Sequence, residues 1–144
     1  MKRHLLLMLL LMTSALIGLA GCTITGDDIY PALDDTAPEV LRTFPEQGWI
    51  QVPRSVTIKV WFSEPVDPSK VSVATMTLSS GEHFQRCRYR VGETEDGLGL
   101  VEMSPMDELM GGVEYQLAIY QGLKDLSGNE LLSVVEVSFR TMER

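Results

Sequence analysis

Apolar and polar residues alternate with a period of two in four short segments of this chain. Such alternation places successive side chains on opposite faces of a strand and indicates a half-buried β-sheet. The residues expected to face inward are Val56, Ile58, Val60 and Phe62; Cys87, Tyr89 and Val91; Tyr115, Leu117 and Ile119; and Val135, Val137 and Phe139.

Weaker strands are predicted over residues 39–43, 74–78 and 98–103, which gives about seven strands. Short strands separated by Pro, Gly, Asn and Asp are typical of a two-sheet sandwich, so the fold class is predicted to be all-β. Residues 68–71 and 105–110 are each expected to form one helical turn. The segment from Leu109 through Gly112 to Tyr115 suggests a tyrosine corner, in which the Tyr hydroxyl caps backbone upstream; alternatively, Tyr115 is simply an inward-facing residue.

The first 21 residues have the pattern of a cleavable signal peptide. Lys2 and Arg3 precede an apolar run that is shorter than the roughly 20 residues a spanning helix needs. The run ends in Leu-Ala-Gly-Cys at residues 19–22, which resembles the lipobox of bacterial lipoproteins. That resemblance implies a membrane anchor of acyl chains, including palmitate, on Cys22. Because Thr23 rather than Asp follows, the outer membrane is favoured over the inner.

Residues 22–36 are expected to form a lipidated, acidic and flexible tether, because they contain four aspartates, a glycine and a proline without a sustained period. The remaining residues, 37–144, form the predicted domain. The formal net charge of −8 becomes −10 when Lys2 and Arg3 leave with the signal peptide. A chain this acidic repels phosphates, so nucleic acid is not expected as a partner.

The chain has two cysteines, and lipidation of Cys22 would leave Cys87 without a disulfide partner. Because an exposed thiol in an exported domain is prone to oxidation, Cys87 is predicted to be an inert core residue.

Five motifs in order resemble the SbsA-type bacterial immunoglobulin-like (Ig-like) domains. They begin at Asp35-Thr-Ala-Pro, include Phe62-Ser-Glu-Pro-Val-Asp-Pro, and end at Phe139-Arg-Thr. The other two are the turn Lys124-Asp-Leu-Ser-Gly-Asn and the stretch from Phe44-Pro-Glu-Gln-Gly to Val52-Pro53. The resemblance implies an Ig-like sandwich used as a spacer, adhesion or binding module. Cys87 and the arginines around it depart from the family pattern, so the resemblance does not interpret them.

The types of residue present give little support to a catalytic function. The mature chain has one histidine, His83, which is expected about 13 Å along a strand from Cys87, beyond the reach of a nucleophile–base pair. Zinc is not expected, since a site needs three or four His or Cys ligands. The acids in predicted turns are expected to be solvated; they are Glu93, Glu95, Asp96, Asp107 and Glu108. The alternative is that two of the chain's many acids form a carboxylate pair for glycoside hydrolysis.

Calcium is a more credible ligand than zinc, because loop carboxylates suit it. Glu64 with Asp67, or Asp125 with Asn129, would contribute; the alternative is that these residues cap turns. No cofactor is expected.

A possible partner surface comprises Trp61 and the stripe Arg86, Arg88 and Arg90. Three arginines on one strand face would recognise an anionic glycan or lipid headgroup; alternatively, they pair across the sheet with acids such as Glu102 or Glu136. Trp61 is expected on the outer face, either exposed to a partner or covered by the first strand.

These observations predict a non-enzymatic lipoprotein of the cell envelope whose Ig-like domain acts as a binding, adhesion or spacing module. The alternative is a small carbohydrate-active enzyme, or an enzyme inhibitor, that uses loop carboxylates. The partner, an envelope protein or a glycan, is not identified by the sequence.

Overall fold

The computed structural model describes residues 34–144, which form nine strands and one 3-10 turn, Pro68–Lys70. The strands are β1 Val40–Phe44, β2 Trp49–Val52, β3 Ile58–Phe62, β4 Met76–Ser80, β5 His83–Phe84, β6 Cys87–Glu93, β7 Gly99–Pro105, β8 Glu114–Ile119 and β9 Val135–Thr141.

The strands form two sheets. The first sheet has four strands in the order β1-β3-β7-β6, and all its pairs are antiparallel. The second has five strands in the order β2-β9-β8-β4-β5, in which only β2 and β9 run parallel. Consecutive strands often lie in different sheets, so the chain crosses repeatedly between the layers. This is the sandwich that the alternating pattern predicts.

The inner faces of the two sheets carry the apolar residues of the predicted strands. Ile58, Val60 and Phe62 are fully buried in β3, as are Tyr115, Leu117 and Ile119 in β8. The ring of Tyr115 stacks on that of Phe139 at 6.0 Å between centroids. Because these inward residues come from both sheets, one continuous core joins the layers.

Two predictions about secondary structure were incomplete or wrong. The count of about seven strands omitted β2 and β5, which are short and largely exposed and therefore show no alternation. The helical turn expected at residues 105–110 is absent: Pro105 ends β7 and a bend follows. The turn expected at residues 68–71 is confirmed by the 3-10 turn, which is capped by the Asp67 side chain.

Within residues 34–144, no helix has the length and apolarity that crossing a bilayer would require.

Candidate functional site: the outer face of the four-stranded sheet

The arginine stripe begins just before β6 and continues along it. Arg88 and Arg90 are exposed and alternate with the half-buried Cys87, Tyr89 and Val91, which pack against the core. Arg86 precedes β6 and is also exposed. The predicted division of this segment into an inner and an outer face is therefore confirmed.

Two members of the stripe already have acidic partners. Arg90 lies 3.6 Å from a carboxylate oxygen of Glu102, the residue opposite it on β7. The same carboxylate lies 3.0 Å from Nζ of Lys59 on β3. Arg86 lies 3.4 Å from Asp107, and both side chains are largely exposed. Exposed pairs of this kind contribute little to stability.

Glu136, the other predicted partner of the arginines, belongs to the second sheet. It lies on β9 opposite Ala118, so it cannot face β6 across a shared ladder. The sequence placed both acids on outward faces but could not assign them to sheets.

Arg88 differs from its neighbours, because it has no ion pair within residues 34–144. It borders a cleft of about 330 Å³ with Lys59, Arg90 and Glu102. The hydroxyls of Thr57 and Ser104 lie 3.1 Å apart in the same cleft. An unpaired guanidinium beside two hydroxyls offers hydrogen-bond donors to an anionic group.

Trp61 faces outward from β3, as expected, but it is covered in part by the first strand. Its cross-strand partner on β1 is Arg42, whose guanidinium carbon lies 4.2 Å from the centroid of the indole ring. A cation over an indole face is attracted by the ring quadrupole. Arg42 therefore occupies the face of Trp61 that a partner would stack on, and the structure does not bring Trp61 together with the arginine stripe as one open surface.

Cys87 is half-buried rather than fully buried, which corrects the prediction of a core position. The reason is that β6 is the edge strand of its sheet, so its inward residues have a neighbouring strand on one side only. Burial still raises the pKa of the Cys87 thiol to about 11. The neighbouring Tyr89 hydroxyl donates to the backbone carbonyl of Met76 at 2.7 Å, and burial raises its pKa to about 12.

Three carboxylates, those of Asp34, Glu64 and Asp125, have oxygens within 4.8 Å of one another. Asp125 is buried, and its carboxylate accepts from the backbone N–H groups of Gly128 and Asn129, at 2.6 and 2.8 Å, and from the Asn129 side chain at 2.7 Å. Burial opposes ionisation of Asp125, but these hydrogen bonds outweigh it and lower its pKa. The pKa of Glu64 is raised by burial first, then by the charges of Asp34 and Asp125.

Of the calcium ligands considered from the sequence, the structure groups Glu64 with Asp125 and Asn129 but leaves Asp67 apart. Asp67 accepts from the N–H of Ser69 at 2.8 Å, and this hydrogen bond lowers its pKa. Both oxygens of Asp125 are similarly engaged in holding the turn at residues 125–129. The oxygens offer the hard ligands that calcium prefers, but their observed contacts are those of capped turns.

The residues considered for catalysis are dispersed. His83 is exposed on β5 and pairs with Ser80 in the β4–β5 hairpin. Of the loop acids, Asp107 pairs with Arg86 and Glu108 with Arg54 at 3.2 Å. Asp125 lies close to Glu64, but it is buried and its oxygens hold the turn at residues 125–129.

Sequence reasoning did not single out two other concave regions. One, of about 440 Å³, lies beside Val73, Phe84 and Tyr120; the other, of about 260 Å³, lies beside Trp49. Neither could be found from alternation, because each combines side chains from segments that only the fold brings together. The only signal for the second was a tryptophan in a segment without a periodic pattern.

Known proteins resemble this chain in sequence pattern and in fold. A family model described as "Bacterial Ig-like domain" matches residues 34–141. Three similar solved structures are those of the S-layer protein rSbsC(31-844), of surface layer protein SbsC, domains 1-6, and of the N-terminal part of the bacterial S-layer protein SbsC. No curated protein matches the chain.

All three solved structures share 22% identity with this chain, with TM-scores of 0.50, 0.52 and 0.50 respectively. The matches cover 76%, 76% and 74% of this chain, but only 14%, 14% and 24% of those chains. This degree of likeness shows the shared fold.

Proposed function

Because this chain belongs to the family of bacterial Ig-like domains, we propose that it is a non-enzymatic lipoprotein of the cell envelope whose domain acts as a binding, adhesion or spacing module. The observation that carries this proposal is a Leu-Ala-Gly-Cys sequence, which resembles a lipobox and ends at Cys22, in the same chain as a β-sandwich of this family. Surface-layer proteins with similar folds support a location at the cell surface for such modules.

The basis for the lipid anchor is the sequence alone, since residues 1–33, including Cys22, lie outside the described residues. Two or more acyl chains on one residue hold a protein on a bilayer far more firmly than a single chain does. We therefore expect the domain to remain bound to membrane through Cys22, on the outer membrane in a cell with two membranes.

The lipid anchor is tested by metabolic labelling with palmitate. The wild-type protein and Cys87→Ser should both incorporate label, whereas Cys22→Ser should not. Cys87→Ser is the matched control, because it removes the only other thiol of the chain. Label on Cys22→Ser, or none on the wild type, would contradict the anchor.

The contact surface proposed for this module is the cleft bordered by Arg88, on the outer face of the four-stranded sheet. Arg88 has no ion pair within the described part of the chain, while Lys59 and Arg90 share the single carboxylate of Glu102, which offsets one of their two charges. We expect Arg88 to bind an anionic group of an envelope component. Arg86 and Trp61 are not among the residues that line this cleft, and they are engaged by Asp107 and Arg42.

The module and the surface are tested by co-purification from detergent-solubilised envelope of the cells that produce the protein. Arg88→Gln should reduce the amount of the principal co-purifying component at least fivefold, and Arg86→Gln, which removes an arginine already paired with Asp107, should not. Equal recovery with both variants would overturn the role of Arg88.

The alternative function is a carbohydrate-active enzyme, or an inhibitor of such an enzyme, that uses loop carboxylates. The raised pKa of Glu64 is the observation that favours it. Incubation of glycan substrates with the wild-type protein and with Glu64→Gln, followed by measurement of turnover, distinguishes the enzyme from the binding module. Turnover by the wild type that Glu64→Gln abolishes would establish the enzyme and exclude the binding module as the primary function.

A further inference from the structure

A cleft of about 260 Å³ lies where β2 runs alongside β9, at the edge of the second sheet. Its lining combines two apolar side chains, those of Trp49 and Ile50, with side chains that donate or accept hydrogen bonds: Gln47, Glu114, Ser138 and Arg140. This mixture differs from the basic cleft at Arg88, which lies on the other sheet.

One residue that borders this cleft is a tryptophan that remains partly exposed. Trp49 is 42% exposed. The ring of Phe44 packs edge-on against it, with centroids 5.4 Å apart and planes at 80°. Because Trp49 remains 42% exposed despite this contact, it provides an apolar platform at the surface.

Two polar side chains of the cleft, those of Gln47 and Arg140, each make one hydrogen bond to the backbone. The backbone N–H of Ser138 donates to the side-chain oxygen of Gln47 at 2.8 Å, so the amide nitrogen of Gln47 is left to donate elsewhere. Nε of Arg140 donates to the carbonyl of Gly112 at 2.9 Å, which orients the rest of the guanidinium. Groups that are already ordered lose less entropy on binding.

Glu114 and Arg140 lie directly opposite each other on β8 and β9, yet no ion pair joins them within residues 34–144. Both are exposed and border the cleft. A carboxylate that accepts and a guanidinium that donates are therefore available at one place, and their charges offset each other.

The backbone of β2 is distorted beside the platform. The pairing of β2 with β9 shifts register between Trp49 and Val52, and Gln51 has a φ of 62°, a left-handed conformation that costs a residue other than glycine free energy. Bulges of this kind redirect side chains and are frequent beside functional sites. The distortion turns the strand where Trp49 and Ile50 border the cleft.

We propose that this cleft binds one pyranose residue of a neutral oligosaccharide. A pyranose presents an apolar C–H face that fits an open indole, and a rim of hydroxyls that both donate and accept hydrogen bonds. Glu114 accepts from those hydroxyls, Arg140 and Gln47 donate to them, and the offset charges favour a neutral sugar over an anionic one. This site goes beyond the proposed function, which requires neither Trp49 nor any sugar.

The test is binding of the full-length protein to an array of oligosaccharides built from neutral hexoses, N-acetylhexosamines and uronic acids. At least one neutral oligosaccharide should bind. Trp49→Ala should weaken its binding at least about tenfold, as expected for loss of a central aromatic contact. Trp61→Phe, a change at the tryptophan covered by Arg42, should leave the affinity unchanged.

Two further measurements keep the test decisive if Trp49→Ala affects folding. Glu114→Gln, at an exposed position, should weaken binding at least about threefold. Because the chain has two tryptophans, Trp49 is the only one in Trp61→Phe, and its emission should shift to the blue when the sugar binds. Failure of every neutral oligosaccharide to bind, or binding unchanged by both Trp49→Ala and Glu114→Gln, would overturn the site. Neither result would affect the palmitate label on Cys22, so the anchor is judged separately.

Discussion

The backbone N–H of Met110 donates a hydrogen bond to the hydroxyl of Tyr115, 2.9 Å away. Tyr115 is almost fully buried, and its ring stacks on Phe139. The hydroxyl therefore ties the connection between β7 and β8 to the core of the sandwich. This contact confirms the tyrosine corner that the spacing from Leu109 to Tyr115 suggested.

Replacing Tyr115 with Phe should destabilise the domain by about 1–2 kcal/mol, because the ring remains but the N–H of Met110 loses its acceptor. Urea unfolding at 25 °C measures the change. Tyr120→Phe is the control, since that hydroxyl makes only a 3.5 Å contact with Thr77. A loss of stability as large in Tyr120→Phe would show that the corner contributes nothing specific.

Gly99 lies on β7 against the residues that follow β3. A Cβ built at this position would stand 2.2 Å from the carbonyl oxygen of Glu64, which is backbone and cannot move alone. Gly99→Ala should therefore destabilise the domain by about 3 kcal/mol or prevent folding. Gly92→Ala, on the adjacent strand β6, meets no atom within 4 Å and should be tolerated. Equal stability of the two variants in urea would contradict the packing described.

The raised pKa of Glu64 makes stability depend on pH in a specific direction. Since the folded-state pKa lies above the unfolded value of about 4.5, ionisation of Glu64 costs stability above the folded-state pKa and costs nothing below the unfolded one. Glu64→Gln should thus stabilise the domain by up to about 1 kcal/mol at pH 7 and by nothing near pH 3.5.

Urea midpoints at the two pH values measure this difference. Glu95→Gln is the control, because Glu95 is exposed in a turn and forms no ion pair within the described residues. A stabilisation by Glu64→Gln that persists unchanged at pH 3.5 would show that charge is not its cause.

The thiol of Cys87 should react slowly in the folded protein. Its pKa of about 11, raised from 9.0 by burial, lowers the thiolate fraction at neutral pH about 100-fold. In a Cys22→Ser background, where Cys87 is the sole thiol, iodoacetamide at pH 7.5 should modify it far more slowly than in 8 M urea. Similar rates in the two states would show that the thiol is accessible.

The strands with clear alternation were predictable because burial of one face leaves a period of two in the sequence. The residues of β3, β8 and β9 show it: each apolar position in the pattern is buried or half-buried. Strands β2 and β5 were missed because they are short and largely exposed, so they leave no alternation in the sequence. β2 pairs with β9, which is distant in sequence, whereas β5 pairs with the adjacent strand β4 in a tight hairpin.

The candidate site was predictable only in part, for a related reason. Alternation assigned Arg88 and Arg90 to an outer face correctly, but the sheet in which an acid lies is a property of topology. Glu102 and Glu136 look alike in sequence, yet only Glu102 lies opposite Arg90. Two other features likewise become visible only when the strands are placed side by side. They are the packing of Arg42 over Trp61 and the grouping of Gln47, Trp49, Glu114 and Arg140 around one cleft.

The sequence by itself determined the class of fold, the inward residues of the main strands and the tyrosine corner, because these depend on local periodicity and short spacings. It is also the only basis for the lipid anchor expected at Cys22. The tertiary structure decided which strands share a sheet, and hence that Cys87 lies at an edge, that Arg88 has no ion pair in the described domain, and that Trp49 borders a cleft. Such relationships depend on long-range strand pairing, for which the pattern along a single chain carries no signal.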